Sequence, residues 1–189
     1  MARPPKDPHM PRSLARIKAV LILLAAATAM LLPSLPAAAQ DNTPTPQATT
    51  ATYRDWTVRC DHLPQTPPRR VCEVVQAVRA NDGQAFLAQV VIGKPAPDQP
   101  TKLIVQLPAG VWLPANVTLT APSGESATAT FTRCMQLCVA DADIAQPLVD
   151  ALKAATEPAR LTFQDGNRRP IELPISLNGF TAAMNAAAE

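Results

Sequence analysis

The chain has 189 residues, of which 47% are hydrophobic, and its 17 basic and 15 acidic side chains give a formal net charge of +2. The basic excess belongs to residues 1–39, which carry five of the basic side chains and one of the acidic ones, so the remainder carries 12 and 14. That remainder is long enough for one domain with a real core. Its small negative charge argues against a nucleic-acid-binding protein.

Residues 1–39 have the pattern of a secretory signal peptide. A short apolar run, Ala19–Leu32, follows three basic residues, Arg12, Arg16 and Lys18. The site Ala37-Ala38-Ala39 predicts cleavage before Gln40. An uncleaved anchor is the alternative, but the run is shorter than the roughly 20 residues that a membrane span needs. We therefore expect a periplasmic protein without a transmembrane segment after cleavage, with outer-membrane association or secretion as further locations.

The rest of the chain divides into a polar, proline-containing lead-in at 40–51, expected to be flexible, and a single mainly-β domain at 52–189. Alternating apolar residues and turn signals predict short strands throughout this domain. The predicted strands are 53–60, 71–80, 84–92, 103–107, 117–121, 126–133, 160–164 and 168–174. The last should lie near a sheet edge, because Pro170 and Pro174 cannot donate ladder hydrogen bonds.

One central helix is predicted at about 144–155. Asp143 and Gln146 have the spacing of a capping box, and Pro147 falls in the first turn, where its missing N–H costs little. A short C-terminal helix is expected within 176–188, with Phe180 and Met184 on one face. Together these elements predict a two-layer, sandwich-like β fold with the central helix against one opening.

Four cysteines, Cys60, Cys72, Cys134 and Cys138, allow three disulfide connectivities. We predict Cys60–Cys72 and Cys134–Cys138, because each pair closes a short loop between expected strand ends. A thiol-redox role for the second pair and a zinc site formed by all four remain alternatives. An exported protein more often oxidises such thiols to structural disulfides.

Five blocks of sequence together resemble the invasion-associated locus B family of exported bacterial proteins. The blocks are Asp55–Cys60, Cys72–Gln76, Leu107–Pro114, Cys134–Ala140 and Leu177–Ala183. The resemblance implies an envelope or secreted location in a Gram-negative bacterium, and in some pathogens a link to host-cell invasion. It implies no agreed enzymatic mechanism, so no catalytic residue is carried over. The proline-rich loop 61–70 departs from the family pattern.

The residues themselves give little sign of catalysis. His62 is a lone loop histidine in the mature chain, and no nucleophile elbow or zinc-protease pair is present. A cation site at Asp141 and Asp143 is explained better by a helix cap beside a solvated aspartate. We therefore predict no enzyme, no cofactor and no metal, and a module that binds an unidentified protein, envelope or host-surface partner. Trp112, held between prolines, is the predicted contact residue. A small periplasmic enzyme or thiol factor is the alternative.

Overall fold

The computed structural model describes residues 47–80 and 83–188. The predicted signal peptide, its cleavage site and residues 40–46 of the predicted lead-in lie outside these residues. Within them, no helix is both long enough and apolar enough to cross a membrane.

Ten strands and two α-helices form the described part of the chain. The strands are β1 (Ala48–Tyr53), β2 (Trp56–Leu63), β3 (Arg69–Ala80), β4 (Ala85–Gly93), β5 (Thr101–Pro108), β6 (Val117–Thr120), β7 (Ser126–Cys134), β8 (Leu137–Ile144), β9 (Ala159–Gln164) and β10 (Pro170–Ile175). The helices are α1 (Gln146–Ala154) and α2 (Phe180–Ala188), and a 3-10 turn covers Leu113–Ala115. The mainly-β class and the C-terminal helix agree with the sequence prediction.

All ten strands join one antiparallel sheet in the order β1-β2-β3-β4-β5-β8-β7-β6-β9-β10. The two-layer sandwich is therefore not confirmed. Sequence patterns show where strands occur but not which strands pair. The sheet becomes continuous through the pairings β5–β8 and β6–β9, whose strands are far apart along the chain. As predicted, β10 lies at an edge, the position in a sheet that tolerates prolines within a strand.

The sheet curls into a half-barrel. Along a flat sheet, β2 and β10 would be eight strand spacings, about 38 Å, apart. Instead, Ser176, which directly follows β10, accepts hydrogen bonds through its carbonyl oxygen from Trp56 Nε1 at 2.8 Å and from Gln76 Nε2 at 2.9 Å. The far edge of the sheet is thus brought back to β2 and β3.

The concave side of the half-barrel holds the core. Alternate residues of the strands point inward, as Trp56, Val58 and Cys60 of β2 do, and all three are buried. Helix α2 packs against this face, with the rings of Phe180 and Trp56 centred 4.9 Å apart. Trp56 is fully buried, so this tryptophan is a core residue.

The prediction of one central helix at about 144–155 is not matched. Helix α2 packs against the first strands of the sheet, and α1 packs against α2. Helix α1 begins only at Gln146, with Ala145 at the N-cap position and no capping side chain. The proposed capping box does not form, because Asp143 lies in strand β8 and pairs with Lys102 on the neighbouring β5, Nζ to Oδ1 2.6 Å. This hydrogen bond raises the pKa of Lys102.

The sheet also starts earlier than the predicted domain boundary at 52. Strand β1 begins at Ala48, inside the segment expected to be flexible, and pairs with β2 from Ala48 opposite Asp61 to Tyr53 opposite Trp56. The side chains of 48–52 are all exposed. The segment therefore lacks the alternation of apolar and polar residues that would predict a half-buried strand. Backbone pairing with β2 determines their conformation.

Both disulfides have the predicted connectivity and lie within hairpins. Cys60 and Cys72 face each other across β2 and β3, and Cys134 and Cys138 face each other across the tight turn between β7 and β8. No cysteine is free. The first disulfide is buried in the core, whereas Cys134 is exposed.

Candidate binding surface

Trp112 lies in a loop that is fixed to the end of a neighbouring strand. Its backbone N–H donates to the carbonyl oxygen of Gln164 at 2.9 Å, and the preceding Val111 forms a β-bridge with Asp165. The two loops approach so closely that a Cβ on Gly166 would lie 2.9 Å from the carbonyl oxygen of Gly110. The tryptophan is therefore held by its own backbone and by the turn after β9.

The side chain of Trp112 is half-buried beneath an arginine. The guanidinium carbon of Arg168 lies 4.3 Å from the centroid of the Trp112 ring, a cation–π distance. Arg168 has a φ of 63°, in the left-handed region that side-chain-bearing residues seldom adopt. The turn that contains it is thus held in an uncommon conformation, with the arginine placed over the ring.

Asp165 supports this conformation of the turn. Its Oδ1 accepts hydrogen bonds from the backbone N–H groups of Asn167 and Arg169, each at 2.9 Å, and its Oδ2 accepts one from Arg169 Nε at 2.7 Å. The backbone hydrogen bond from Arg169, followed by its side-chain hydrogen bond, lowers the pKa of Asp165. The ionised carboxylate therefore holds the turn at neutral pH.

Exposed apolar side chains accompany Trp112 at the same rim of the sheet. The large hydrophobic residues exposed in the described chain are Leu113 at 39%, Met135 at 77% and Leu137 at 39%. Leu137 lies opposite Pro108, where β5 ends, and Trp112 follows Pro108 by four residues, a span of at most about 14 Å. We call Trp112, Leu113, Met135, Leu137 and Arg168 the Trp112 face.

The topology explains why these residues share a rim. Neighbouring strands of the sheet run antiparallel, so the end of β5, the start of β8 and the end of β7 lie together. The end of β9 and the start of β10 lie at this rim too. The Cys134–Cys138 disulfide closes the turn that carries Met135.

The other residues considered as sites are placed elsewhere. Cys60 and Cys72 form a core disulfide, and Asp141 and Asp143 lie on β8. Within residues 47–80 and 83–188, no group of three or more histidine, cysteine or acidic side chains is arranged to hold a metal ion.

Comparison with known proteins agrees with this architecture. The sequence profile of the invasion associated locus B (IalB) protein family matches residues 56–188. The chain belongs to the IalB family. No curated protein matches it.

A solved structure shows the same fold. The crystal structure of invasion associated protein B from Bartonella henselae superimposes with a TM-score of 0.64 at 19% sequence identity, covering 74% of this chain and 95% of that one. The family resemblance inferred from the five sequence blocks is confirmed by the family profile that matches residues 56–188.

Sequence reasoning singled out Trp112 but not the rest of the Trp112 face. Leu113, Met135 and Leu137 are apolar, and an apolar residue next to a strand is ordinarily expected to be buried. Arg168 was assigned to the last strand, whereas it lies in the turn before β10. Met135 and Leu137 lie in and beside the short loop between Cys134 and Cys138, and this position is the one sequence signal that could have indicated exposed apolar side chains.

Proposed function

We propose that this IalB-family protein is a non-catalytic binding module of the bacterial envelope, exported by its signal peptide, and that the Trp112 face contacts a partner protein. The observation that carries the proposal is the gathering of the exposed large apolar side chains of the described chain beside a half-exposed tryptophan. Aromatic residues, methionine and arginine are enriched at protein interfaces, and tryptophan and arginine are frequent hot spots.

The chemistry of the surface indicates the kind of partner. Its centre is apolar, and its charged member is cationic, because Arg168 covers Trp112. Arg133, just before the disulfide turn, adds an exposed positive charge beside the face. A partner with an apolar patch bordered by carboxylates complements such a surface. Bridges to neighbouring strands and a disulfide hold the loops in place, which lowers the entropy cost of binding.

The cysteines give no support to the thiol-redox alternative. All four are consumed in disulfides, so the resting protein has no thiolate nucleophile. A turnover assay of the purified protein with envelope substrates tests the non-catalytic half of the proposal. Sustained turnover would contradict it.

The binding half is tested by site-specific photocrosslinking in intact cells. A photoreactive amino acid at Met135, the most exposed of the large apolar residues of the Trp112 face, should give a discrete crosslinked protein. The control carries the same group at Gln99, an exposed residue in the loop before β5, at the opposite rim. Trp112→Ala, with folding checked by circular dichroism, should reduce the Met135 adduct about tenfold or more, the loss typical of a hot-spot residue. Equal adducts from both positions, or an adduct unaffected by Trp112→Ala, would rule out the Trp112 face.

A further inference from the structure

A cavity of about 430 Å³ opens at the rim opposite the Trp112 face. The start of β3, the end of β4 and the start of β5 lie at this rim. Pro108, four residues before Trp112, is at the other end of β5. Helices α1 and α2 complete the wall through Val149 and Met184. The volume lies within the range of small-molecule sites, roughly 300–1,000 Å³.

Basic side chains dominate the polar lining of this cavity. They are Arg69, Arg70, Lys94 and Lys153, and no carboxylate of the described residues lines it. The ion pairs found in the described chain, Lys102–Asp143 and Arg169–Asp165, lie elsewhere. Four cations therefore line one cavity without a carboxylate partner among the described residues; Lys153 Nζ donates instead to the amide oxygen of Asn185 at 3.3 Å.

Arg69 shows an unmet hydrogen-bonding need inside the site. One of its terminal guanidinium nitrogens donates to the carbonyl oxygen of Pro95, but its Nε is buried and has no hydrogen-bond partner. A buried, unpaired donor on a charged group is costly, and such a group often marks a place for a ligand. An anionic oxygen in the cavity would compensate the charge of this guanidinium, which also lines the cavity.

Apart from Thr101 and Gln146, the rest of the lining is apolar. The Cys72 side chain and Ile92 are core residues at the base, and one face of α1 and one face of α2 contribute Val149, Met184 and Ala187. An inorganic anion would leave this surface without a partner. A short alkyl chain would bury it.

We propose that this cavity binds an amphiphilic anion, a carboxylate or phosphate head group attached to a short alkyl chain. The head group interacts with Arg69, Arg70, Lys94 and Lys153, and the chain packs on the apolar wall. The site is separate from the Trp112 face, so it does not depend on the function proposed above.

Isothermal titration calorimetry of the mature protein with four probes tests this assignment. Octanoate and octyl phosphate carry both parts of the ligand, 1-octanol lacks the charge, and inorganic phosphate lacks the chain. We expect both amphiphilic anions to bind more tightly than either partial ligand, and their affinity to fall with added salt. A preference for octanoate indicates a fatty acid as the natural ligand, and a preference for octyl phosphate indicates a phosphorylated lipid fragment.

Variants locate the binding. Arg70 and Lys94 are exposed, so the double variant Arg70→Gln/Lys94→Gln should fold and bind octanoate about fivefold more weakly. Gln146→Glu places a carboxylate in the lining and should weaken binding as well. The charge-matched control Arg59→Gln/Arg160→Gln alters exposed arginines outside the cavity and should bind like wild type.

Several results would overturn the proposal. Absence of binding by both amphiphilic anions removes it outright. Equal binding of 1-octanol removes the anion requirement, and equal binding of inorganic phosphate removes the apolar one. Equal losses in the cavity double variant and in its charge-matched control would show that net charge, and not this cavity, governs the interaction.

Discussion

Gln76 is the one polar residue classed as buried in the described chain, and it joins the two ends of the curled sheet. Its Oε1 accepts a hydrogen bond from Ser176 N at 3.0 Å, and its Nε2 donates to Ser176 O at 2.9 Å. The Gln76 amide thus pairs with the backbone of Ser176 as a neighbouring strand would, because Ser176 lies beyond the end of β10 and has no strand partner there. No local pattern singles out Gln76, because its role exists only once the sheet has curled.

Gln76→Glu should make the stability of the protein depend on pH. A glutamate there must be protonated to donate to Ser176 O, and burial disfavours its charged form, so its folded-state pKa lies above the ordinary value of about 4.3. The folded state then binds more protons than the unfolded state. The variant is therefore most stable below about pH 4.3 and loses stability as the pH rises towards neutrality.

Urea unfolding at several pH values measures this effect. The variant should be about 1–3 kcal/mol less stable than wild type at neutral pH, the cost of a buried group without its hydrogen bond, and should approach wild type in acid. Gln84→Glu, at an exposed position, serves as the control without this trend. A constant deficit at all pH values would contradict the role of the Gln76 amide.

Asp165 gives a pH dependence of the opposite sign, at the turn below Arg168. Hydrogen bonds lower the pKa of Asp165 in the folded protein below its ordinary value of 3.8. The stabilisation of the turn by its carboxylate is therefore complete above pH 3.8 and is lost as the pH falls through the folded-state pKa. Asp165→Asn removes the ion pair with Arg169 at every pH. We expect faster backbone motion at 166–168 in nitrogen-15 relaxation at neutral pH, with little change in melting temperature.

Wild type should show the same motion only in strong acid. Glu172→Gln, an exposed carboxylate on β10, is the control and should leave the turn unchanged. Relaxation at 166–168 that is identical in wild type and Asp165→Asn would show that Asp165 is not what holds the turn.

At the scale of elements, sequence reasoning missed β8 as well as β1. Asp141 and Asp143 suggested a solvated segment and a helix cap. They lie on the outward side of β8, while Cys138, Ala140 and Ile144 are buried on the inward side. The two-residue period was present, but small inward residues made it weak. The bounds predicted for the following helix lie close to those of α1, because Leu148 and Leu152 have helical spacing, but the capping box predicted to start it does not form.

Because α1 lacks a capping side chain, Ala145→Ser should stabilise the protein. Ala145 has extended dihedral angles, φ −74° and ψ 150°, which suit an N-cap residue. Pro147 has no N–H, so a serine hydroxyl there can accept only from the N–H of Leu148, which already donates to the carbonyl oxygen of Ala145 at 3.1 Å. The substitution should therefore add about 0.5 kcal/mol to the free energy of unfolding, the low end for an N-cap. Ala154→Ser, at the last residue of α1, offers no such acceptor position and should give no gain. Equal urea midpoints for both variants would show that this helix end needs no cap.

At the scale of the whole molecule, the sequence predicted the class but not the closure. Most strands, both disulfides and the edge position of β10 follow from local patterns and spacings. The curl depends on contacts between residues more than 100 positions apart, such as Trp56 with Ser176. Such contacts cannot be predicted from the spacing of apolar residues along the chain, which shows only which face of each strand or helix is buried.

The closing contacts make α2 the element on which the fold depends. The pairings found among the described strands do not join β1 to β10, so no ladder closes the half-barrel. Phe180 and Ala183 of α2 are instead fully buried on the concave face, and Thr181 Oγ1 donates to the carbonyl oxygen of Lys153 at the end of α1. The helix thus fills the space that a closed barrel would fill with strand side chains.

Phe180→Ala should therefore destabilise the whole domain by about 3–5 kcal/mol, through lost burial and a cavity beside Trp56. Phe163→Ala is the matched control: the same side chain is half-buried on β9 and should cost less. Urea unfolding followed by both circular dichroism and tryptophan fluorescence provides the measurement. Both signals should change together, at a lower urea midpoint than in wild type. The reason is that α2 contacts the first strands of the sheet, while Ser176, which follows the last strand, is hydrogen-bonded to Trp56. A fluorescence change that precedes loss of the sheet would mean that α2 only covers an independently stable sheet.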